Sequence, residues 1–458
     1  MRTYRCFAAK ILAIFMLLNL VLCGCSGTTG ESTTAAAATG TTKADETEPL
    51  GELTVYLFKN SATAQQGYFT EAKTFAARNS EYEIHIEAFD DVETMEERLK
   101  TELTAGQGPD VIMADSFFGL DIMELARNGA LYDMTDIIAA DDDFTDEQYY
   151  MPVMKAGQIE DRQYVIPLSF TVPTFVSSTS ALEEAGIDWN NASTMDVYRQ
   201  MLDWFKSDDT THIGGIGGYF EAATGLLYSM GKSLVDPVTG KPTVNGEEER
   251  VLIELGAELV RDYRAWMDEK KNIPSAMTPL TNVPMLYTCF MTSPWHLQIY
   301  YSAYLEAEKE SEFEMFMAPD EDGNYHAVVQ EFAAVTANTD SPELAWYFIS
   351  SIIDHEKSHN DITTAVSLNR WMTNYWLDKT ETQTGKFGPT MDKVRMMPRE
   401  YSDELADVYD RVVDASIYQV SPTINIVREL VIDYVNGETD FETAIEDMES
   451  RLNIYANE

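Results

Sequence analysis

His355-Glu356-Lys357-Ser358-His359 has the spacing by which a helix offers two imidazoles to one zinc ion, with a glutamate placed to deprotonate the bound water. A catalytic zinc needs a third protein ligand. His359 is the last histidine of the chain, no glutamate occurs between residues 360 and 380, and Lys357 puts a cation inside the motif. The pattern therefore reads as a polar helix end. Asp141-Asp142-Asp143 with Asp146 and Glu147, and Asp320, Asp322 and Asn324 around Gly323, lack the glycine and glutamate spacing of a calcium loop and read as loops and turns. Gly214 to Gly218 has no third glycine of a dinucleotide fingerprint and follows no clear strand, so a flexible turn is expected. Cys289 stands in the apolar run Met285 to Met291, where a buried inert thiol is expected rather than a nucleophile. No phosphate-loop lysine motif and no nucleophile elbow occurs, so the chain carries no persuasive catalytic apparatus.

The N-terminus carries a different chemistry. Arg2, Arg5 and Lys10 form a basic region, Ile11 to Leu22 form an apolar stretch too short to span a bilayer, and Leu22-Cys23-Gly24-Cys25 closes it. Cys23 would set bulky Leu22 before the cleavage point, whereas Cys25 has Gly24 there. The expectation is a lipoprotein signal peptide over 1–24, with Cys25 lipidated and tethered on the extracytoplasmic face of the cell membrane. Cys6 and Cys23 leave with the leader, so the mature chain has no intrachain disulfide. The net charge is −45, which repels phosphate backbones and anionic headgroups, excludes nucleic acid as a partner and favours a neutral or cationic ligand. Hydrophobic residues at 45% and the chain's length predict more than one packed lobe.

Residues 25–50, rich in Thr, Ala and Gly, read as a flexible linker. Order is expected from the strand Leu53 to Phe58. A helix follows with Phe69, Ala72, Phe75 and Ala76 on one face, then an alternating strand Tyr82 to Ala88, a helix through Met95, Leu99 and Leu103, and the buried strand Val111 to Ala114. This β-α-β-α-β order predicts a parallel, doubly wound sheet. The middle, about 190 to 315, reads as mostly helical, and Phe313 to Met317 and Tyr325 to Val329 read as a hairpin turning at Pro319 to Asn324. Ser341 and Pro342 are expected to start a helix burying Ala345, Phe348, Ile349 and Ile352. Thr439 and Glu442 form a capping-box pattern, and Phe441, Ile445, Met448 and Leu452 repeat at helical spacing.

Six tracts carry a resemblance. They are Gly108-Pro109-Asp110-Val111, Gly129 to Thr135, Gln163 to Leu168, Ala181 to Asp188, Thr292-Ser293-Pro294-Trp295 and Ser341 to Trp346. In this order they resemble the family 1 extracellular solute-binding proteins of ABC importers, the maltose-binding-protein-like group. Two tracts depart from the family's habit: Thr292-Ser293 precede Pro294-Trp295 in place of Asn-Gly, and Ser177-Ser178 replace a common Tyr-Asn.

The resemblance implies an α/β, two-lobed periplasmic-binding-protein-like fold with doubly wound sheets and a hinged interlobe cleft. Its lobes would be 51–168 with 328–366, and 169–327 with 367–458. It implies a lipid-anchored monomer that captures a solute, a sugar or oligosaccharide above all, and delivers it to ABC permease subunits without a cofactor and without enzymatic action. A ligand-sensing lipoprotein and an exported zinc hydrolase using His355, Glu356 and His359 are the alternatives, and a peptide or polyamine ligand stays open. The expected cleft residues are Asn60, Ser61, Asp115, Ser116, Phe117, Ser169, Phe170 and Thr171 from the first lobe and its crossover. Tyr219, Phe220 and Trp295 would come from the second lobe, and Glu331, Arg370 and Trp371 from the later crossings.

Overall fold

A computed structural model describes residues 49–59, 65–115, 118–206, 213–216, 222–269, 285–289, 294–354, 366–378, 383–387, 391–394, 397–419 and 422–456. The leader, Cys25, the linker up to residue 48 and the motif at 355–359 lie outside the described residues.

Numbered along the chain, the described strands begin with β1 (Glu52–Phe58), β2 (Glu83–Phe89), β3 (Val111–Asp115), β4 (Gln158–Ile159), β5 (Arg162–Gln163), β6 (Val165–Thr171) and β7 (Thr174–Ser178). They continue with β8 (Ile213–Ile216), β9 (Met285–Cys289), β10 (Phe313–Phe316), β11 (Tyr325–Val335), β12 (Val366–Ser367), β13 (Gln383–Phe387), β14 (Met391–Val394) and β15 (Val412–Ile417). The larger sheet has the order β12-β6-β11-β3-β1-β2, with β15 also paired to β11. β1 pairs in parallel with β2 and β3, as the β-α-β-α-β order predicts. Beyond β3 the sheet turns mixed, because β11 runs antiparallel to both β3 and β6. Helix Val92–Thr104 starts at Asp91, whose carboxylate accepts from the Thr94 N–H, and buries Met95 and Leu99.

A second sheet, β10-β7-β9-β8, corrects two expectations. Ile213–Ile216 is a strand parallel to β9, with Gly214 opposite Leu286 and Gly215 opposite Tyr287, so the glycine run is not simply a turn. Two glycines gave no apolar alternation to read there. The 313–329 hairpin does not form: β10 pairs with β7 in the second sheet, whereas β11 joins the first. The turn between them is real, with Asp320 accepting from the N–H groups of Asp322 and Asn324, yet it sends the chain from one sheet to the other.

Two helix starts also differ from expectation. Pro342 opens helix Pro342–Ile353, but Ser341 makes no side-chain cap, its N–H donating instead to the Thr339 hydroxyl. The last helix, Phe441–Tyr455, is capped by Asp440 accepting from Thr443 N–H, one residue beyond the expected box. The apolar faces of both helices are buried, with Ala345, Phe348, Ile349 and Ile352 on one and Ile445, Met448 and Leu452 on the other, while Phe441 is only half-buried at the edge of the smaller cluster.

Apolar side chains gather in two clusters. The larger is built on β1, β3, β6 and β11 with helix Pro342–Ile353, and reaches Leu297, Phe313 and Leu405. The smaller joins helices Thr194–Lys206, Ala222–Tyr228, Glu247–Glu269, Pro422–Val435 and Phe441–Tyr455.

Where β11 enters the first sheet, His326 bridges two carboxylates: its Nδ1 lies 2.7 Å from Asp414 on β15, and its Nε2 lies 3.1 Å from Asp320 in the turn. Gly231 covers the bridge at φ +66°, where an added Cβ would stand 2.8 Å from the ring. The Asp414 hydrogen bond raises the His326 pKa above its ordinary value, against a desolvation that lowers it. A raised folded-state pKa means that the stabilisation is fully present below the unfolded value near 6.5 and is lost as pH rises through the folded value. The melting-temperature gap between wild type and Asp414→Asn should therefore be wider at about pH 6 than at about pH 9. Gly231→Ala should cost about 1–2 kcal/mol from its left-handed backbone alone, measurable by denaturant titration.

Candidate functional site: a polar row across the larger sheet

β11 is eleven residues long and changes partner along one edge. β6 takes one side, from Val328 to Ala334. On the other side β15 runs parallel up to Ile417 opposite Val329, and β3 runs antiparallel up to Asp115 opposite Glu331. The C-terminal ends of two strands thus meet at Gln330, where the register with β6 also shifts. Two chains therefore leave the sheet at one point.

The residues at this junction are polar. Asp115 on β3, Glu331 on β11, Ser169 on β6 and Ser367 on β12 are successive register partners, forming one row across four strands. Asp115, Glu331 and Ser169 are buried, and so is Thr171, opposite Val328. Helix Gln65–Arg78 lays Tyr68 against this row. Burial raises the Tyr68 pKa well above the usual phenol value, and the Glu331 charge adds to this while the Ser169 hydroxyl pulls the other way. Tyr68 therefore stays a neutral hydroxyl beside a carboxylate. The Gln330 side chain is buried, and its amide nitrogen has no hydrogen-bond partner among the described residues. The junction thus supplies carboxylate and hydroxyl acceptors together with an amide donor.

Of the expected cleft residues, the structure brings Asp115, Ser169 and Glu331 into register, with Thr171 at the end of the same strand. Phe170 is instead a core residue, fully buried between Tyr150 and Tyr409 with ring centroids at 5.1 and 5.7 Å, because its side chain points to the opposite face of β6 from Ser169. Arg370 is committed elsewhere: its Nε donates to the carbonyls of Asp146 and Tyr149, it pairs with Asp410, and its guanidinium lies over the Tyr150 ring. Trp371 is half exposed and stacked on Tyr375 at 5.3 Å. Asn60, Ser61, Ser116, Phe117, Tyr219 and Phe220 lie outside the described residues, as does the side chain of Trp295, whose backbone is second in helix Pro294–Glu306.

Tyr68, Gln330 and Ser367 escaped the sequence reading. The adjacent polar pair Gln330-Glu331 inside an apolar strand was the available sign of the register shift; Tyr68 and Ser367 had none.

The chain matches the family model for bacterial extracellular solute-binding proteins over residues 71–368. The chain belongs to that family. Among solved structures it is similar to an ABC substrate-binding protein from Listeria monocytogenes in complex with cycloalternan, at 17% identity and a TM-score of 0.57, covering 89% of this chain and 99% of that one. The sugar-binding protein MalE from Xanthomonas citri shares 12% identity at a TM-score of 0.58, over 89% of this chain and 97% of its own. A cyclic alpha-maltosyl-1,6-maltose binding protein from Arthrobacter globiformis shares 16% at 0.54, over 89% and 99%. At such identities the likeness establishes a common two-lobed fold. No curated protein matches the chain in sequence.

Phe170→Ala should cost about 3–5 kcal/mol of stability, read from denaturant unfolding, because it empties a packed site between two aromatic rings. Trp371→Ala, on an exposed ring, should cost less than about 1 kcal/mol in the same measurement.

Proposed function

We propose that this solute-binding protein is lipid-anchored through Cys25 outside the cell membrane, captures a sugar or oligosaccharide, and delivers it to the permease of an ABC importer. The observation that carries the reading is the Asp115–Glu331–Ser169–Ser367 row at the junction of β3, β11 and β15. A ligand with many hydroxyl groups, each both donor and acceptor, suits a site of carboxylates, hydroxyls and an amide. The sugar ligands of the similar structures support this chemistry. So does the acidic charge, which disfavours anions.

In this reading two lobes, one built on the larger sheet, which β15 joins from the C-terminal part of the chain, and one on the second sheet, turn about the crossing strands. The ligand favours the closed arrangement by its higher affinity for it, and no bond is broken. Asn60, Ser61, Ser116 and Phe117 complete the first face. Tyr219, Phe220 and Trp295 supply the facing aromatic surface on which sugar C–H groups stack.

A thermal-shift screen of sugars, polyamines and peptides should find an oligosaccharide that raises the melting temperature, since a ligand that binds only the native state stabilises it by mass action. A shift with polyamines or peptides alone would overturn the sugar assignment. With that sugar, Glu331→Gln should weaken the calorimetric affinity at least about tenfold, about 1.4 kcal/mol, with little change in apo melting. Undiminished affinity would remove Glu331 from the site. Cys25→Ala should release the protein from membranes or leave an uncleaved precursor, checked by fractionation.

A further inference from the structure

The two chains that leave β11 at Gln330 are tied together just beyond it. Gln419, two residues past β15, is buried and uses both ends of its side-chain amide on the segment that follows β3. Its oxygen accepts from the Ile122 N–H at 3.0 Å, and its nitrogen donates to the carbonyls of Phe118 at 3.2 Å and Leu120 at 3.1 Å. Asp121, inside this loop, caps helix Ile122–Arg127 through the Met123 and Glu124 N–H groups.

The same helix is held twice more by parts of the chain that pack with the smaller core. Tyr455, at the end of the last helix, donates to the Glu124 carboxylate, and Arg127 donates to the Pro237 carbonyl at 2.9 Å. Phe118, Ile122 and Ala126 nonetheless pack in the larger core. Segment 118–127 thus packs in the larger cluster and is hydrogen-bonded to three separate stretches, around residues 237, 419 and 455, whose neighbours Val235, Tyr418 and Leu452 pack in the smaller one. Apolar surfaces can slide past one another, but a buried amide holding three backbone groups has one geometry.

We propose that Gln419 is a positioning residue for the cleft. It couples the 118–122 loop, and through it the Asp115 end of β3, to the second lobe, so that rotation between the lobes acts directly on the polar row. Its role in ligand capture rests on the solute-binding reading above; the coupling itself is tested without ligand.

Amide hydrogen exchange should be followed by mass spectrometry on the ligand-free chain without its leader, as wild type, Gln419→Leu and Gln419→Glu. In Gln419→Leu, peptides spanning 111–127 should exchange at least about tenfold faster, while peptides from β1, β2 and helix Phe441–Tyr455 keep their rates. Gln419→Glu keeps the acceptor for Ile122 but turns a carboxylate toward two carbonyls, which raises its folded-state pKa. Its loss of melting temperature should be full at about pH 7.5 and shrink toward about pH 4.5, as protonation restores a donor. Unchanged exchange over 111–127, equal acceleration in both lobes, or a Gln419→Glu deficit independent of pH would overturn the proposal. A failed sugar screen would count against the carbohydrate reading and leave these results standing.

Discussion

Strand β11 can be satisfied only by pairing both of its edges, and most of the described architecture follows from how that is done. It is buried along nearly its whole length, so each of its N–H and C=O groups needs a partner inside the protein. β6 covers one edge, while β15 and β3 divide the other between a parallel and an antiparallel ladder. The division falls at Gln330. There the register slips, two strands end, and side chains that would otherwise be core are carboxylates and hydroxyls. The crossing of the chain between lobes and the polar row are consequences of one pairing problem solved at one place.

Charge is distributed to match. The chain has 77 acidic residues against 32 basic ones, and some of the described arginines join separate elements. Arg250 pairs with Glu442, Arg370 with Asp410, and Arg451 with Glu429. Exposed pairs of this kind contribute little each, but they spend scarce cations on closing the surface. The larger core keeps acids at the junction instead: Asp115 and Glu331 are both buried there, beside a tyrosine held neutral. His326, set between Asp320 and Asp414, ties the entry of β11 to β15 and to the turn from the second sheet.

The two apolar clusters meet around β11, where Val328 packs in the smaller cluster and its neighbours Ala327 and Val329 in the larger. Alternation along a strand sends successive side chains to opposite faces, so a single strand can belong to two lobes. Segment 118–127 complicates this division by packing with one cluster while being hydrogen-bonded to parts of the chain from the other.

By itself the sequence determined the local elements whose cause is local. The apolar repeats of Met95 and Leu99, of Ala345 to Ile352, and of Ile445 to Leu452 predicted helix faces that are buried, since burial of such a face is what makes the helix stable. The ordered tracts also identified the family, whereas Asp115, Ser169 and Glu331 were expected only near a strand end and two crossings, and the structure sets Ser169 and Glu331 inside β6 and β11 as register partners. Tertiary structure decided the rest. The capping residues moved, because a cap depends on where the preceding chain arrives. The hairpin at 313–329 opened, because strand partners are chosen by sheets distant in sequence. A two-residue period puts Phe170 opposite to Ser169, but only the packed sheet shows which face is core. The meeting of β3 and β15 at Gln330, and the reach of Gln419 back to residues 118–122, join positions about 300 apart, and no local pattern of residues encodes that distance.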